Sequence, residues 1–196
     1  MTMHTKMLAI ALSTVAMSAS AADFTSSETA RRFVASTVRG QTLDTSSQRL
    51  GRVPEAARVS PEGVTTLGPA PALSYVQVYA VGSSNVGWEY VSASQFTTAY
   101  DHGGDVLLVA VLELGYGTSR YVTMAGSLVS GSANYANDSI CDDGFGGLAL
   151  PCSPGQTIVG FMRYYDVSGN QSGSFYYQST SINSPFNTMS DSMSIL

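Results

Sequence analysis

Lysine is almost missing from this chain of 196 residues: Lys6 is the only one, and it lies near the N-terminus. Charged residues make up only 12% of the sequence, and the basic ones are unevenly placed. Residues 23–58 hold six arginines against four acids, whereas residues 59–196 hold only Arg120 and Arg163 against ten acids. A body with that balance repels phosphate backbones and anionic lipid, so no nucleic-acid partner and no charge-driven membrane binding is expected. Histidine is nearly as scarce, with His102 the only one beyond His4. A zinc site of three or four protein ligands would therefore have to be completed mainly by acids, and no cofactor is expected.

Long apolar runs are also few. Met7–Met17 (MLAIALSTVAM) is about eleven residues, too short to span a ~30 Å hydrocarbon core. With Lys6 ahead of it and the small residues Ser18–Ala22 behind it, this run has the build of a secretory signal, residues 1–22, cleaved before Asp23. Val106–Leu114 is interrupted by Glu113 and closed by glycine, so no transmembrane segment is expected there. The expected location is secreted or periplasmic. The two cysteines, Cys141 and Cys152, then imply one disulfide in an oxidising compartment. Closing a ring of that size stabilises a fold by roughly 3 kcal/mol in the chain-entropy treatment.

What the chain has in quantity is Gly, Ser, Thr and Tyr, which suits an extracellular β-protein. Residues 23–72 have linker or pro-segment composition, with Pro54, Pro61, Pro69 and Pro71 and no periodicity after Gly40. Within that arm, residues 29–39 place Phe33, Val34, Thr37 and Val38 on one helical face. A basic arm ahead of an acidic body reads either as a spacer, the simpler account, or as a pro-segment that docks by charge.

Residues 73–183 are expected to form an antiparallel β-sandwich, immunoglobulin-like or related. Tyr75–Val81 alternates as a half-buried strand does, and Val106–Leu114 has the unbroken branched-apolar content of a strand buried on both faces. Ser92–Tyr100 has the makings of a short helix. The break at Gly117–Arg120 has hairpin spacing before a strand at Tyr121–Ala125. Gly131–Gly155 reads as a long loop pinned by the cysteines. Thr157–Asp166 and Ser174–Ile182, separated by an obvious turn, read as a hairpin. Residues 184–196 read as a flexible tail.

Pro154–Thr157, the aromatic strand to Asp166, Ser168-Gly169-Asn170 and Ser172 resemble the final hairpin of immunoglobulin-like and fibronectin-type domains. Tyr75–Gly82, Tyr100–Gly104 and Leu114–Gly117 are similar to the YolA-like group of small secreted bacterial proteins. The second resemblance covers the domain but not the arginine arm, and implies no activity.

Candidate chemistry is thin. Asp101-His102-Gly103-Gly104-Asp105 brings two carboxylates and an imidazole together, as an acid/base cluster would; a glycine turn feeding the next strand accounts for the same residues. Asp138, Asp142 and Asp143 supply hard oxygens for calcium, but Ile140 breaks the EF-hand pattern. Gly144–Gly147 lacks the lysine or serine of a phosphate loop. No serine completes Gly-x-Ser-x-Gly. Glu89 and Glu113 are a formal carboxylate pair for glycoside hydrolysis, as two acids are in almost any chain. Trp88, Tyr164, Tyr165, Tyr176 and Tyr177 are binding candidates, since one tyrosine of each adjacent pair should face away from the core.

Three functions follow: a secreted non-enzymatic module binding an extracellular protein or glycan, which is favoured; a small hydrolase or toxin using His102 with Asp101 and Asp105; or an extracellular assembly component working through the arm.

Overall fold

The structure, a computed structural model, describes residues 70–196. The expected signal sequence, residues 1–22, and almost all of the expected arm, residues 23–72, lie outside the described residues.

The chain is an antiparallel β-sandwich, with no α-helix among the described residues. Its strands are β1 (Tyr75–Ser83), β2 (Gly87–Tyr90), β3 (Leu107–Leu114), β4 (Gly117–Met124), β5 (Ser127–Leu128), β6 (Asn134–Asp142), β7 (Leu148–Ala149), β8 (Ile158–Asp166), β9 (Gly173–Ser181) and β10 (Thr188–Ile195). One sheet runs β2-β1-β3-β8-β6-β7 and the other β10-β9-β4-β5.

Strand β3 lies at the centre of the larger sheet, and all eight of its residues are buried. Leu107, Val109 and Val111 point between the sheets, where they meet Val122, Phe175, Met193 and Ile195. Ala110, Leu112 and Leu114 point the other way, into a second apolar cluster with Met162 and Ile140. A strand with no polar alternation thus takes the position that asks for none.

Two expected hairpins are not hairpins. β3 and β4 belong to different sheets, and so do β8 and β9, which pair with β6 and β3 on one side and with β4 and β10 on the other. Their connections cross the sandwich as arches. At the first crossing, Gly115 has φ +88°, and a side chain there would collide with the Ala72 carbonyl. The adjacent Tyr116 N–H donates to Pro71 O at 3.0 Å. Glycine is needed at that turn because the chain entering the domain runs directly against it.

Three further expectations need correction. Residues 184–196 are not a frayed tail, because β10 pairs with β9 along its length and buries Met193 and Ile195. The alternation Met189, Asp191, Met193, Ile195 sends every second side chain inward. Asn134–Asp142 is not loop, since β6 pairs with β8 from Asn134 to Cys141. Ser92–Tyr100 forms turns rather than a helix, and Thr98 N–H donates to Ser194 O. The Cys141–Cys152 disulfide is formed and ties the end of β6 to the segment after β7.

Polar contacts fix how the sheets sit on each other. The β1–β3 register slips between Val78 and Ala80, and the Val78 N–H is taken by Asp191 Oδ2 of β10 at 2.8 Å. Strand β10 is therefore a structural element in spite of its serine-rich sequence. Met193→Ala should lower stability by about 2–4 kcal/mol, read from denaturant unfolding. A change below about 0.5 kcal/mol would mean that β10 is dispensable.

Candidate functional site

Three places gather polar or aromatic chemistry: two ionisable clusters inside the sandwich, and the outer face of the smaller sheet.

The first cluster forms around Glu113, whose side chain points between the sheets and is fully buried. Arg163 Nη2 of β8 donates to its Oε1 at 3.0 Å, and Arg120 Nη2 of β4 to the same oxygen at 3.1 Å. Tyr177 of β9 donates its hydroxyl to Oε2. Arg163 continues to Asn137 Oδ1 at 2.9 Å and lies 4.9 Å over the Phe161 ring. Burial would raise the Glu113 pKa, but hydrogen bonds from Arg163 and Arg120 outweigh it and hold the carboxyl at about 2. For Tyr177, burial and the neighbouring Glu113 charge push its pKa up, so it stays a hydroxyl donor. Both arginines among the described residues are therefore spent on one carboxylate. That arrangement clamps the two sheets and leaves Glu113 no proton to exchange near neutral pH.

The second cluster forms around His102, which is 0% exposed. Its Nε2 lies 3.0 Å from Glu89 Oε2 and its Nδ1 3.2 Å from Ser83 Oγ. Because a carboxylate only accepts, Nε2 carries the proton; in the neutral ring, Nδ1 then accepts from Ser83. A serine, an imidazole and a carboxylate in series have the connectivity of a hydrolytic triad. Their surroundings do not fit that chemistry. Glu89 also accepts from Ala99 N at 2.7 Å, Tyr100 N at 3.1 Å and Gln95 Nε2 at 2.8 Å. Although burial raises its pKa, those donors and His102 lower it overall. Ser83 Oγ additionally accepts from Val86 N, and His102 N donates to Leu196 O. An open groove nearby is lined by Asn85, Asp101, Gly104 and Leu196 among others, but by none of Ser83, Glu89 or His102. A nucleophile must reach its substrate, and this serine is buried and does not line the groove. The trio fastens the 92–100 turns and the chain terminus to β1 and β2.

Neither acid proposed as a partner of His102 contacts its ring. Asp101 Oδ1 accepts from Gly103 N at 3.0 Å, closing the turn, and Asp105 is exposed. The real partners, Glu89 and Ser83, lie 13 and 19 residues away in sequence. They could not be found by local spacing. Among the calcium candidates, Asp142 Oδ1 accepts from Gly144 N, and Asp143 Oδ1 accepts from both Phe145 N and Gly147 N. Asp138 stands apart on β6, in register with Met162. No group of three or more metal-binding side chains is gathered among the described residues.

Of the aromatic candidates, Tyr164, Tyr165 and Tyr177 are buried, which removes them as contact residues. Tyr164 faces outward from the interior of the sandwich yet is enclosed in the second apolar cluster. Trp88 is half-buried on edge strand β2, flat against Gly82, where a Cβ would lie 2.8 Å from the indole ring. Tyr176 is also half-buried, but on an inner strand of the smaller sheet. It stands on the outer face of the smaller sheet beside Tyr121 of β4, with ring centroids 6.3 Å apart, edge to face.

That face is regular. Three rows cross it from β4 through β9 to β10: Thr123–Tyr176–Ser192, Tyr121–Gln178–Ser190 and Thr118–Thr180–Thr188. All nine side chains are hydroxyl or amide bearing, and none is charged. Tyr176 OH donates to Gln178 Oε1 at 2.9 Å, and Thr180 and Thr188 share a 3.0 Å hydrogen bond.

Residues 68–195 match the model of a domain of unknown function, DUF4879, and the match covers the whole sandwich. The chain belongs to that family. No curated protein matches it. No helix among the described residues is long and apolar enough to cross a membrane.

The Glu113 cluster carries a pH signature. Its folded pKa of about 2 lies below the ordinary 4.5, so its stabilisation is complete above pH 4.5 and is lost as pH falls toward 2. The difference corresponds to roughly 3 kcal/mol. Glu113→Gln should cost roughly 3–5 kcal/mol at pH 7 and flatten the decline between pH 4.5 and 2 in denaturant unfolding. An unchanged acid limb would show that other carboxylates set it. For the second cluster, His102→Ala should lower stability by about 1–3 kcal/mol, since it leaves buried polar groups on Glu89 and Ser83 unpaired.

Proposed function

We propose that the protein is an exported, non-enzymatic module that binds a neutral glycan on the outer face of its smaller sheet. The observation that carries this reading is the uncharged grid of hydroxyl and amide side chains with Tyr121 and Tyr176 standing on it. Sugars offer hydroxyls that both donate and accept, together with apolar ring faces. A platform of Ser, Thr and Gln supplies matching hydrogen bonds, and tyrosine adds a flat amphipathic surface at low entropic cost. A protein ligand is the weaker fit, because contacts of that kind usually centre on enclosed anchors, and this face is shallow and open.

The secretory signal expected at residues 1–22 and the disulfide both suit a location outside the cytoplasm. So does the resemblance of Tyr75–Gly82, Tyr100–Gly104 and Leu114–Gly117 to the YolA-like secreted proteins. Catalysis by His102 is disfavoured because Glu89 and Ser83 are committed to holding backbone amides.

Retention on insoluble polysaccharides (cellulose, chitin and peptidoglycan) provides the test. With tyrosines contributing about 0.5–1.5 kcal/mol each, Tyr121→Ala with Tyr176→Ala should weaken retention roughly tenfold and leave the melting temperature nearly unchanged. Wild-type retention by the double variant, or no retention by the wild type on any polysaccharide, would refute the reading.

A further inference from the structure

The open groove near the chain terminus has a volume of about 850 Å³, within the range of sites that hold small ligands. Its lining includes Ser194 of β10, Asn85 from the β1–β2 turn, Asp101 and Gly104 from the segment before β3, and Gln171 from the turn before β9. This groove is continuous with the platform on the smaller sheet. Ser194 pairs with Ser174 of β9 on one side and bridges to Thr97 on the other. Ser174 and Ser194 stand two residues along their strands from Tyr176 and Ser192, so they share the same outer face. They add a fourth row, Thr97–Ser194–Ser174, about 7 Å beyond the row of Tyr176. All three of its residues are exposed, and Ser194 belongs to platform and groove alike.

Polar side chains are committed in the interior but not at the groove. Asn85 and Gln171 are exposed, and neither side chain makes a hydrogen bond among the described residues. Asp101 gives Oδ1 to the Gly103 amide, and a carboxylate offers about four acceptor sites, so most of its capacity is unspent. Gly104, at φ +121°, makes the approach of these groups possible: a Cβ there would lie 2.8 Å from Asn85 Oδ1. Backbone hydrogen bonds hold the surrounding segments. His102 N–H donates to Leu196 O at 2.6 Å, and Ser84 N–H donates to Val106 O at 3.1 Å. The groove is thus built before any ligand arrives.

We propose that this groove is a second sugar subsite for the glycan that lies on the platform, an inference that rests on the platform reading. Asp101 accepts from neighbouring hydroxyls of one sugar ring, and the Asn85 and Gln171 amides donate and accept beside it. Charge selects the class of sugar. Asp101 carries the only charged side chain among the lining residues, and both arginines of the described residues are held by Glu113. A uronic or sulfated sugar would meet repulsion there and no counter-charge. The ligand is therefore a neutral chain long enough to cross from the tyrosines over Ser194 into the groove.

Displacement by soluble oligosaccharides tests the subsite. Protein retained on cellulose or chitin is displaced with the dimer or the hexamer of the same sugar. A chain that fills one subsite is at high effective concentration over the other, so the hexamer should displace the wild type at least tenfold better per mole. Asn85→Ala with Gln171→Ala should cut that advantage at least threefold and leave the melting temperature unchanged. Asp101→Asn, which keeps an acceptor for the Gly103 amide, should reduce it in the same direction. A wild-type length advantage in both groove variants would overturn the subsite, as would equal displacement by dimer and hexamer. Either result leaves the platform reading standing if Tyr121→Ala with Tyr176→Ala still weakens retention. Retention on peptidoglycan alone, which bears carboxylates, would also overturn the subsite. A wild type retained on no polysaccharide refutes the platform and the subsite together.

Discussion

A carboxylate with no access to water, placed on the central strand, sets the terms for the rest of this fold. Glu113 on β3 has to be neutralised inside the sandwich, and Arg163 from the same sheet and Arg120 from the facing sheet both do so. Tyr177, also from the facing sheet, completes the set. Because its partners come from β4, β8 and β9, the ion cluster is satisfied in one alignment of the two sheets and in no slipped one. A buried ionic group is weak evidence of net stability but can specify geometry. Asp191 on the Val78 amide acts in the same sense at the bulge of β1, and the His102–Glu89–Ser83 trio does so at the opposite end.

These commitments determine where function can lie. Each interior ionisable group that resembles catalytic machinery is occupied by backbone amides or by another side chain of the sandwich. The candidate that survives is on the surface: the hydroxyl- and amide-bearing, charge-free platform of the smaller sheet.

Much of this could be read from the residues, and the failures have identifiable causes. The apolar run Val106–Leu114 gave β3 and its two-sided burial because its composition leaves no other position in a sheet. Strand β1 reads from its Tyr/Val alternation, although all nine of its residues are buried rather than every second one, and β8 and β9 read from their aromatic runs on either side of a turn. Strand β10 was missed although its inward set Met189, Asp191, Met193, Ile195 is visible, because serine between those residues looks like a tail. Strand β6 was missed because Asn, Asp and Ser dominate it and its partner β8 lies beyond the disulfide loop. The two arches were mistaken for hairpins because a turn fixes chain reversal locally, whereas the choice of sheet depends on which face each strand must bury. Among site residues, His102 stands out in the sequence by its scarcity, but its neighbour Asp101 closes a local turn and Asp105 is exposed. Its true partners sit on β1 and β2, and only the folded topology brings them near. Glu113 and Glu89 look in sequence like a formal hydrolytic pair, and each is instead the hub of a structural cluster.

On this view the interior clusters hold the fold while the outer platform binds. Polysaccharide retention by His102→Ala, measured at a temperature where circular dichroism shows the variant fully folded, tests it most directly. Retention equal to wild type is the predicted result. Loss of retention in a folded His102→Ala protein would contradict the account and put the function back at the histidine.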